Sequence, residues 1–111
     1  MSQNYPKSAR LRKRREFQRM AQQSKSLVGR FIILDIRPNQ STYNRLGITV
    51  SRRFGKSHER NRFKRIVREA FRLNRDKMTS GFDINIRPRT LAKEAVLGDV
   101  VKEFIQLGVL K

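Results

Sequence analysis

Hydrophobic positions along this chain repeat with two different periods, and the changes of period mark its elements. From Phe63 the apolar residues Ile66, Val67, Ala70 and Phe71 follow at i+3, i+4, i+7 and i+8, the stripe of a helix packed on a core. The stripe predicts a helix from Ser57, a candidate N-cap, to about Met78, a rod of ~30 Å. Glu59 suits its positive end, Arg75 and Lys77 suit its other end, and Thr79-Ser80-Gly81 stops it. Leu46, Ile48 and Val50 alternate with Gly47, Thr49 and Ser51, and Gly55 ends that region. Phe82, Ile84 and Ile86 alternate with Asp83, Asn85 and Arg87, and Pro88 closes that run. Both read as strands with one buried face. Phe31-Ile32-Ile33-Leu34-Asp35-Ile36 is nearly continuous in apolar character, as a buried strand is, and Pro38-Asn39-Gln40-Ser41 turns the chain after it. Residues 9–23 read as a basic amphipathic helix with Leu11, Phe17 and Met20 among Arg and Gln, broken at Ser24 to Ser26. Residues 91–107 read as a final helix with Leu97, Val100, Val101, Phe104 and Ile105 on one face, although Gly98 counts against it. The order helix, strands, helix, strand, helix predicts an α+β fold, a small two-layer sandwich of helices on a sheet. It forms one domain over residues 9–111 behind a flexible polar lead at 1–8.

Charge changes this picture from a fold to a function. The helix at 57–78 carries a second stripe, Asn61, Lys64, Arg65, Arg68, Arg72 and Arg75, with no carboxylate in it. Like charges one turn apart repel, so a helix that needed only solubility would mix signs. The whole chain of 111 residues holds 27 Lys and Arg against 9 Asp and Glu, a net charge of +18. That excess points to a polyanion, and among polyanions to nucleic acid. It is concentrated in two segments. Residues 1–19 carry 7 basic residues and 1 acid, residues 51–77 carry 11 and 3, and residues 78–111 are nearly balanced at 5 and 4.

The remaining chemistry is bounded by absence. There is no Cys, so disulfides and thiolate zinc sites are excluded, and a single His cannot build a metal cluster. No apolar run approaches the ~20 residues of a membrane span, and no signal peptide is visible, which predicts a cytoplasmic protein without a membrane partner. The acids Glu16, Asp35, Glu59, Glu69, Asp76, Asp83, Glu94, Asp99 and Glu103 are scattered. No carboxylate cluster or acid–base pair of a nuclease stands out, so no catalytic residue and no metal ligand is assigned. Glu59 and Glu69 read as helix-dipole or ion-pair partners.

The order Arg60-Asn61-Arg62-Phe63-Lys64-Arg65-Ile66-Val67-Arg68-Glu69-Ala70-Phe71-Arg72, preceded by Leu46-Gly47-Ile48-Thr49-Val50-Ser51-Arg52-Arg53-Phe54-Gly55-Lys56, resembles the bacterial ribonuclease P protein subunit. Phe17 in Arg15-Glu16-Phe17 and the run from Phe82 to Pro88 also sit where that family has counterparts. The resemblance covers roughly residues 8–107 and is strongest over 46–72. It implies an α–β sandwich with a left-handed βαβ crossover, opposite to the general rule. It also implies a protein that assists a catalytic RNA in the Mg²⁺-dependent removal of the 5′ leader from precursor tRNA. The catalytic centre is then in the RNA, with most of the Mg²⁺ bound there. The implied partners are that RNA and precursor tRNA; no DNA is expected.

On this basis Arg52, Arg53, Lys56, Arg60, Asn61, Arg62, Lys64, Arg65, Arg68 and Arg72 are the candidate contacts to the catalytic RNA. The arginines offer planar donor forks suited to phosphates. Phe17, with Arg12 and Lys13, is the candidate contact to the leader, since an aromatic ring holds a single strand with little sequence preference. A lone Phe on an amphipathic helix is also an ordinary core residue, and the sequence leaves both open. The family often has a second aromatic one turn on, where this chain has Ala21. Tyr43 and Phe31 are further aromatic candidates. His58 reads as structural. Thr49, Ser51, Asn85 and Arg87 line the open sheet face or are ordinary solvent-facing positions. The competing function is a structural, ribosomal-type RNA-binding protein. A DNA-binding regulator with helix 57–78 in a major groove lacks the expected preceding helix and turn. A membrane-active helix would need the apolar stripe that the core uses.

Overall fold

The computed structural model describes residues 10–110; the lead predicted at 1–8 lies outside the described residues. Its elements in chain order are α1 (Arg14–Gln23), β1 (Lys25–Val28), β2 (Ile32–Pro38), β3 (Arg45–Ile48), α2 (Ser57–Asn74), β4 (Phe82–Pro88) and α3 (Leu97–Gln106). Short 3₁₀ turns occupy Arg52–Phe54, Arg75–Lys77 and Thr90–Glu94. The four strands form one sheet in the order β1-β2-β4-β3, antiparallel except for β3 beside β4. Those parallel neighbours are joined through α2, so the basic helix is the crossover of a βαβ unit.

Strand alternation sorts the sheet into two chemically different faces. Ile32, Leu34, Leu46, Ile84 and Ile86 point to one side and are buried against Phe63, Val67, Ala70 and Phe71 of α2 and Val100 and Phe104 of α3. This apolar layer is the core, and α2 and α3 cover it together. The other face carries Ser26, Asp35, Asn85 and Gly47, which stand in one register row across the four strands. Helix α1 covers part of that row, resting on β2 and β4.

Several boundaries differ from expectation, each for a physical reason. The first helix starts at Arg14, not at residue 9. Residues 10 and 11 instead run beside β3, with the Leu11 N–H donating to the Leu46 carbonyl at 2.9 Å. An edge strand offers unpaired backbone groups, and the segment satisfies them while burying Leu11. The expected break at Ser24 to Ser26 leads into β1, an edge strand of four residues so exposed that it shows no hydrophobic alternation. Pro38, expected in a turn, ends β2, while Val50 and Ser51 lie beyond β3.

Helix α2 begins as expected, but Lys56, not Ser57, holds the N-cap position. The Lys56 N–H is satisfied by the Glu59 carboxylate at 2.9 Å. Glu16 and Asp99 do the same for α1 and α3. Each helix thus starts on a carboxylate in its first turn, where the helix dipole favours negative charge. The helix predicted over 91–107 is divided. Thr90–Glu94 is a 3₁₀ turn, Ala95 and Val96 are extended, and α3 begins at Leu97. Ile105, assigned to its apolar face, is 52% exposed.

The β1–β2 turn is locked to α3 by one buried carboxylate. Glu103 is buried and accepts the Phe31 N–H with both oxygens, at 3.0 and 2.9 Å. It packs so tightly against Gly29 that a Cβ there would come within 1.8 Å of Glu103 Oε1. Gly29→Ala must therefore expel the carboxylate from its donor. The expected loss is roughly 1–3 kcal/mol, the cost of an unsatisfied buried group. A urea melt with an unchanged midpoint would remove Glu103 from the anchors of the fold.

Candidate nucleic-acid interface

The cationic stripe of α2 forms because the opposite stripe is consumed by the core. Phe63, Val67, Ala70 and Phe71 face inward, so Asn61, Arg65 and Arg68 are exposed and Lys64 is half-buried at the margin. Arg52, Arg53 and Lys56 are exposed just before the helix. Cations there oppose the positive end of the helix dipole, and Glu59 is the one acid in the first turn. The Lys56 N–H bond to that acid holds the Glu59 carboxyl below its usual range. The arrangement disfavours the isolated protein and suits an anionic partner.

Three predicted contacts carry internal partners. Arg62 donates to the carbonyls of Ala95 at 2.8 Å and Lys93 at 3.4 Å, tying α2 to the linker before α3. Arg72 is paired with Glu69, whose carboxyl is held below its usual range by that bond. Arg60 leans on Ser57 Oγ at 3.3 Å, while its Nε is buried without a hydrogen-bond partner. The stripe is therefore densest in outward charge at Lys64, Arg65 and Arg68.

Phe17 sits on the polar sheet face and is half-buried. It reaches this position because β3 has Gly47 beneath it. A Cβ at Gly47 would lie 2.7 Å from Phe17 Cε1, 3.0 Å from Asn85 Oδ1 and 3.0 Å from Leu11 Cβ. Arg12 and Lys13 are exposed in the segment leading to α1. A groove of about 180 Å³ runs over this edge of the sheet, lined by Arg10, Leu11, Arg12 and Phe17 on one side and by Lys64 and Arg68 of α2 on the other. The fold thus joins two candidate contact sets that are about fifty residues apart in sequence. Tyr43 lies in the β2–β3 loop, and the Phe31 ring has Arg30 over it at 5.4 Å. Neither lines this groove.

An ion-pair bridge not anticipated from sequence fixes α1 on the sheet. Arg45 donates through Nε and Nη2 to both oxygens of buried Asp83, at 2.8 and 2.7 Å, and through Nη1 to Glu16. Glu16 Oε1 also accepts the Arg12 and Lys13 N–H groups, at 3.0 and 2.9 Å. Burial works against ionisation of Glu16. The Lys13 and Arg12 N–H bonds and the Arg45 guanidinium outweigh it and hold the carboxyl down at about 2. Arg45, bonded chiefly to Asp83, is raised above its ordinary value. The sequence signal available was a pair of acids, Asp35 and Asp83, at strand positions opposite the apolar face.

A model of the ribonuclease P protein family matches residues 5–108 of this sequence. The chain belongs to the ribonuclease P protein family. The ribonuclease P protein component of Thermotoga maritima is 42% identical over 94 residues, spanning 85% of this chain and 80% of that protein. The Clostridioides difficile protein is 37% identical over 98 residues, spanning 87% and 86%. The solved ribonuclease P protein of Staphylococcus aureus superposes with a TM-score of 0.83 at 26% identity, over 95% of this chain and 100% of that one. The Thermotoga maritima structure gives 0.81 at 39% identity, over 88% and 93%. The expected α+β fold of this family is the fold observed, with three α-helices and a four-stranded sheet among the described residues. No described helix is long and apolar enough to cross a membrane.

The Glu16 carboxyl has a folded-state value below its ordinary 4.5. Its contribution to stability is therefore fully present above pH 4.5 and is lost as pH falls to about 2. Glu16→Gln is expected to lower stability at neutral pH and to flatten the acid limb across that window in chemical denaturation. An acid limb identical to that of the parent would show that the bridge does not hold α1.

Proposed function

We propose that this chain is the protein subunit of a ribonuclease P holoenzyme, docking on the catalytic RNA through α2 and its approach, and on the 5′ leader of precursor tRNA through Phe17, Arg12 and Lys13. The observation that carries this reading is the shared groove. Lys64 and Arg68 of the RNA-docking helix line the same channel as Phe17 and Arg12. A single strand leaving the catalytic RNA's surface would pass directly onto an aromatic ring flanked by cations, the combination that holds unpaired nucleic acid. A purely structural RNA-binding protein has no need of that channel.

The reaction chemistry lies outside this chain in this reading. Among the described residues no three His, Asp or Glu side chains gather as a metal site. Glu16, Asp35 and Asp83 are each bonded to arginine, so this donor set does not fit Mg²⁺. The Mg²⁺ of the holoenzyme is then mainly RNA-bound. What this chain supplies is positive charge that screens phosphate repulsion and a handhold for the leader.

Reconstitution with a catalytic RNA and precursor tRNAs of graded leader length tests the proposal. The protein should strengthen binding as the leader lengthens and should cleave nothing without the RNA. Phe17→Ala should weaken binding by roughly 1–3 kcal/mol for substrates with a leader and leave mature tRNA unaffected. Equal losses on both substrates would assign Phe17 to folding. Arg65→Ala should reduce the slope of log affinity for the catalytic RNA against log salt by about 1. An unchanged slope would take Arg65 off the contact surface.

A further inference from the structure

Arg62 does not share a face with the cations around it. On α2 it lies with Ile66, Glu69 and Leu73 at i+4, i+7 and i+11, roughly a third of a turn from the stripe of Asn61, Lys64, Arg65 and Arg68. Its side of the helix meets the 3₁₀ turn Thr90–Glu94 and the linker before α3. Ala92 and Ala95 are buried there, and the end of a short helical turn leaves carbonyls without a partner inside the turn. Arg62 Nη2 donates to the Ala95 carbonyl at 2.8 Å and Nη1 to the Lys93 carbonyl at 3.4 Å. Both arms of the fork are thus turned to the linker. Releasing them to a phosphate would leave a partly buried carbonyl unsatisfied.

The linker in turn braces the approach to α2. The Lys93 ammonium lies over the Phe54 ring, 5.9 Å from its centroid. Phe54 is buried and packs on Phe63, with ring centroids 5.7 Å apart. Glu59, held below its usual range first by the Lys56 N–H bond, also feels the Lys93 charge. The Glu59 carboxylate accepts the Lys56 N–H at 2.9 Å and sits so close to Gly55 that a Cβ there would lie 2.6 Å from Oε1. Phe54, Gly55 and Lys56 are therefore gripped between the first turns of α2 and Lys93. The exposed cations Arg52, Arg53 and Lys56 ride on this segment.

We propose that Arg62 is a positioning residue for RNA docking: it touches no RNA, and by fixing the carbonyls of Lys93 and Ala95 it holds the Arg52–Lys56 segment in the shape that meets the catalytic RNA. The proposal rests on the RNA-docking reading above and moves one of its expected contacts from the interface to the support behind it. The alternative is a phosphate contact made by Arg62 itself, with its fork freed from the linker in the complex.

The test compares two replacements of Arg62 in the full chain: citrulline, which keeps N–H donors at the end of the side chain but carries no charge, and Ala, which removes both. Binding to the catalytic RNA is measured across a salt series, and amide hydrogen exchange is followed in the free protein. Arg62→Ala should weaken binding roughly tenfold, on the order of one charge-assisted hydrogen bond. It should also speed exchange at the Phe54 and Lys56 N–H groups while Val67 and Phe71, inside α2, stay protected. Citrulline should restore the affinity to within about threefold of the parent and leave the salt slope unchanged. Citrulline that binds as weakly as Ala, with the slope lowered by about 1, makes Arg62 a phosphate contact and overturns the proposal. Unaltered exchange at Phe54 and Lys56 in Arg62→Ala overturns it as well. So does exchange quickened evenly over the whole domain with the affinity of the folded fraction unchanged, which is a role in stability alone. A parent protein that fails to bind the catalytic RNA overturns the docking reading beneath it.

Discussion

The Arg45 guanidinium is the joint on which the placement of α1 on the sheet depends. One side of its fork grips Asp83 in the centre of the sheet, and the other reaches Glu16 at the start of α1. Glu16 in turn closes the backbone turn at Arg12 and Lys13. Helix α1 contributes little to the main core: the buried residues of that core come from the strands, α2, α3 and their connecting turns. An element that buries Met20 outside that core gains from a directional interaction that fixes its angle. A guanidinium with two carboxylate partners supplies one, because its donors lie in a single plane. Phe17 follows Glu16 directly, so the bridge also sets where that ring lies.

The two faces of the sheet differ in chemistry and in cover. The apolar face is closed by α2 and α3 and holds the fully buried aromatic rings Phe63, Phe71 and Phe104. Among the described residues the polar face is covered by α1 and the segment at Leu11, and its buried side chains Asp35, Asp83 and Asn85 are all hydrogen-bonded. Leaving this face partly open costs apolar contact, but it creates grooves in a domain too small to hold an enclosed ligand cavity. The basic helix serves both layers. One stripe is core, the other is surface, and the margin at Lys64 and Arg68 borders the groove of the polar face.

Periodicity revealed the elements whose packing is strongly one-sided. Helix α2 and strands β3 and β4 bury one regular apolar stripe or face each, and burial of that kind leaves a repeating mark in the chain, while β2 stood out as a nearly continuous apolar run. Strand β1 left no mark, because it is held by pairing with β2 and not by burial. The segment at Arg10 and Leu11 looked helical because Leu11, Phe17 and Met20 are all apolar, yet backbone bonding to the edge of β3 decides its path. The break before α3 was hidden for a similar reason: Leu91, Ala92 and Ala95 continue an apolar pattern across it.

By itself the sequence determined that this is a small α+β protein, that its longest helix has a core stripe and a cationic stripe, and that its motif order is that of the ribonuclease P proteins. These properties are local, written in spacing and charge within one element. Only the tertiary structure decided that Arg62 and Arg72 are tied to internal partners, that Arg45 joins Glu16 to Asp83, and that Phe17 lies across a groove from Lys64 and Arg68. The physical reason is that each of these facts pairs residues from different elements. Such pairs form only after strand register and helix docking are set, and one chain read in order carries no record of which distant donor will find which acceptor.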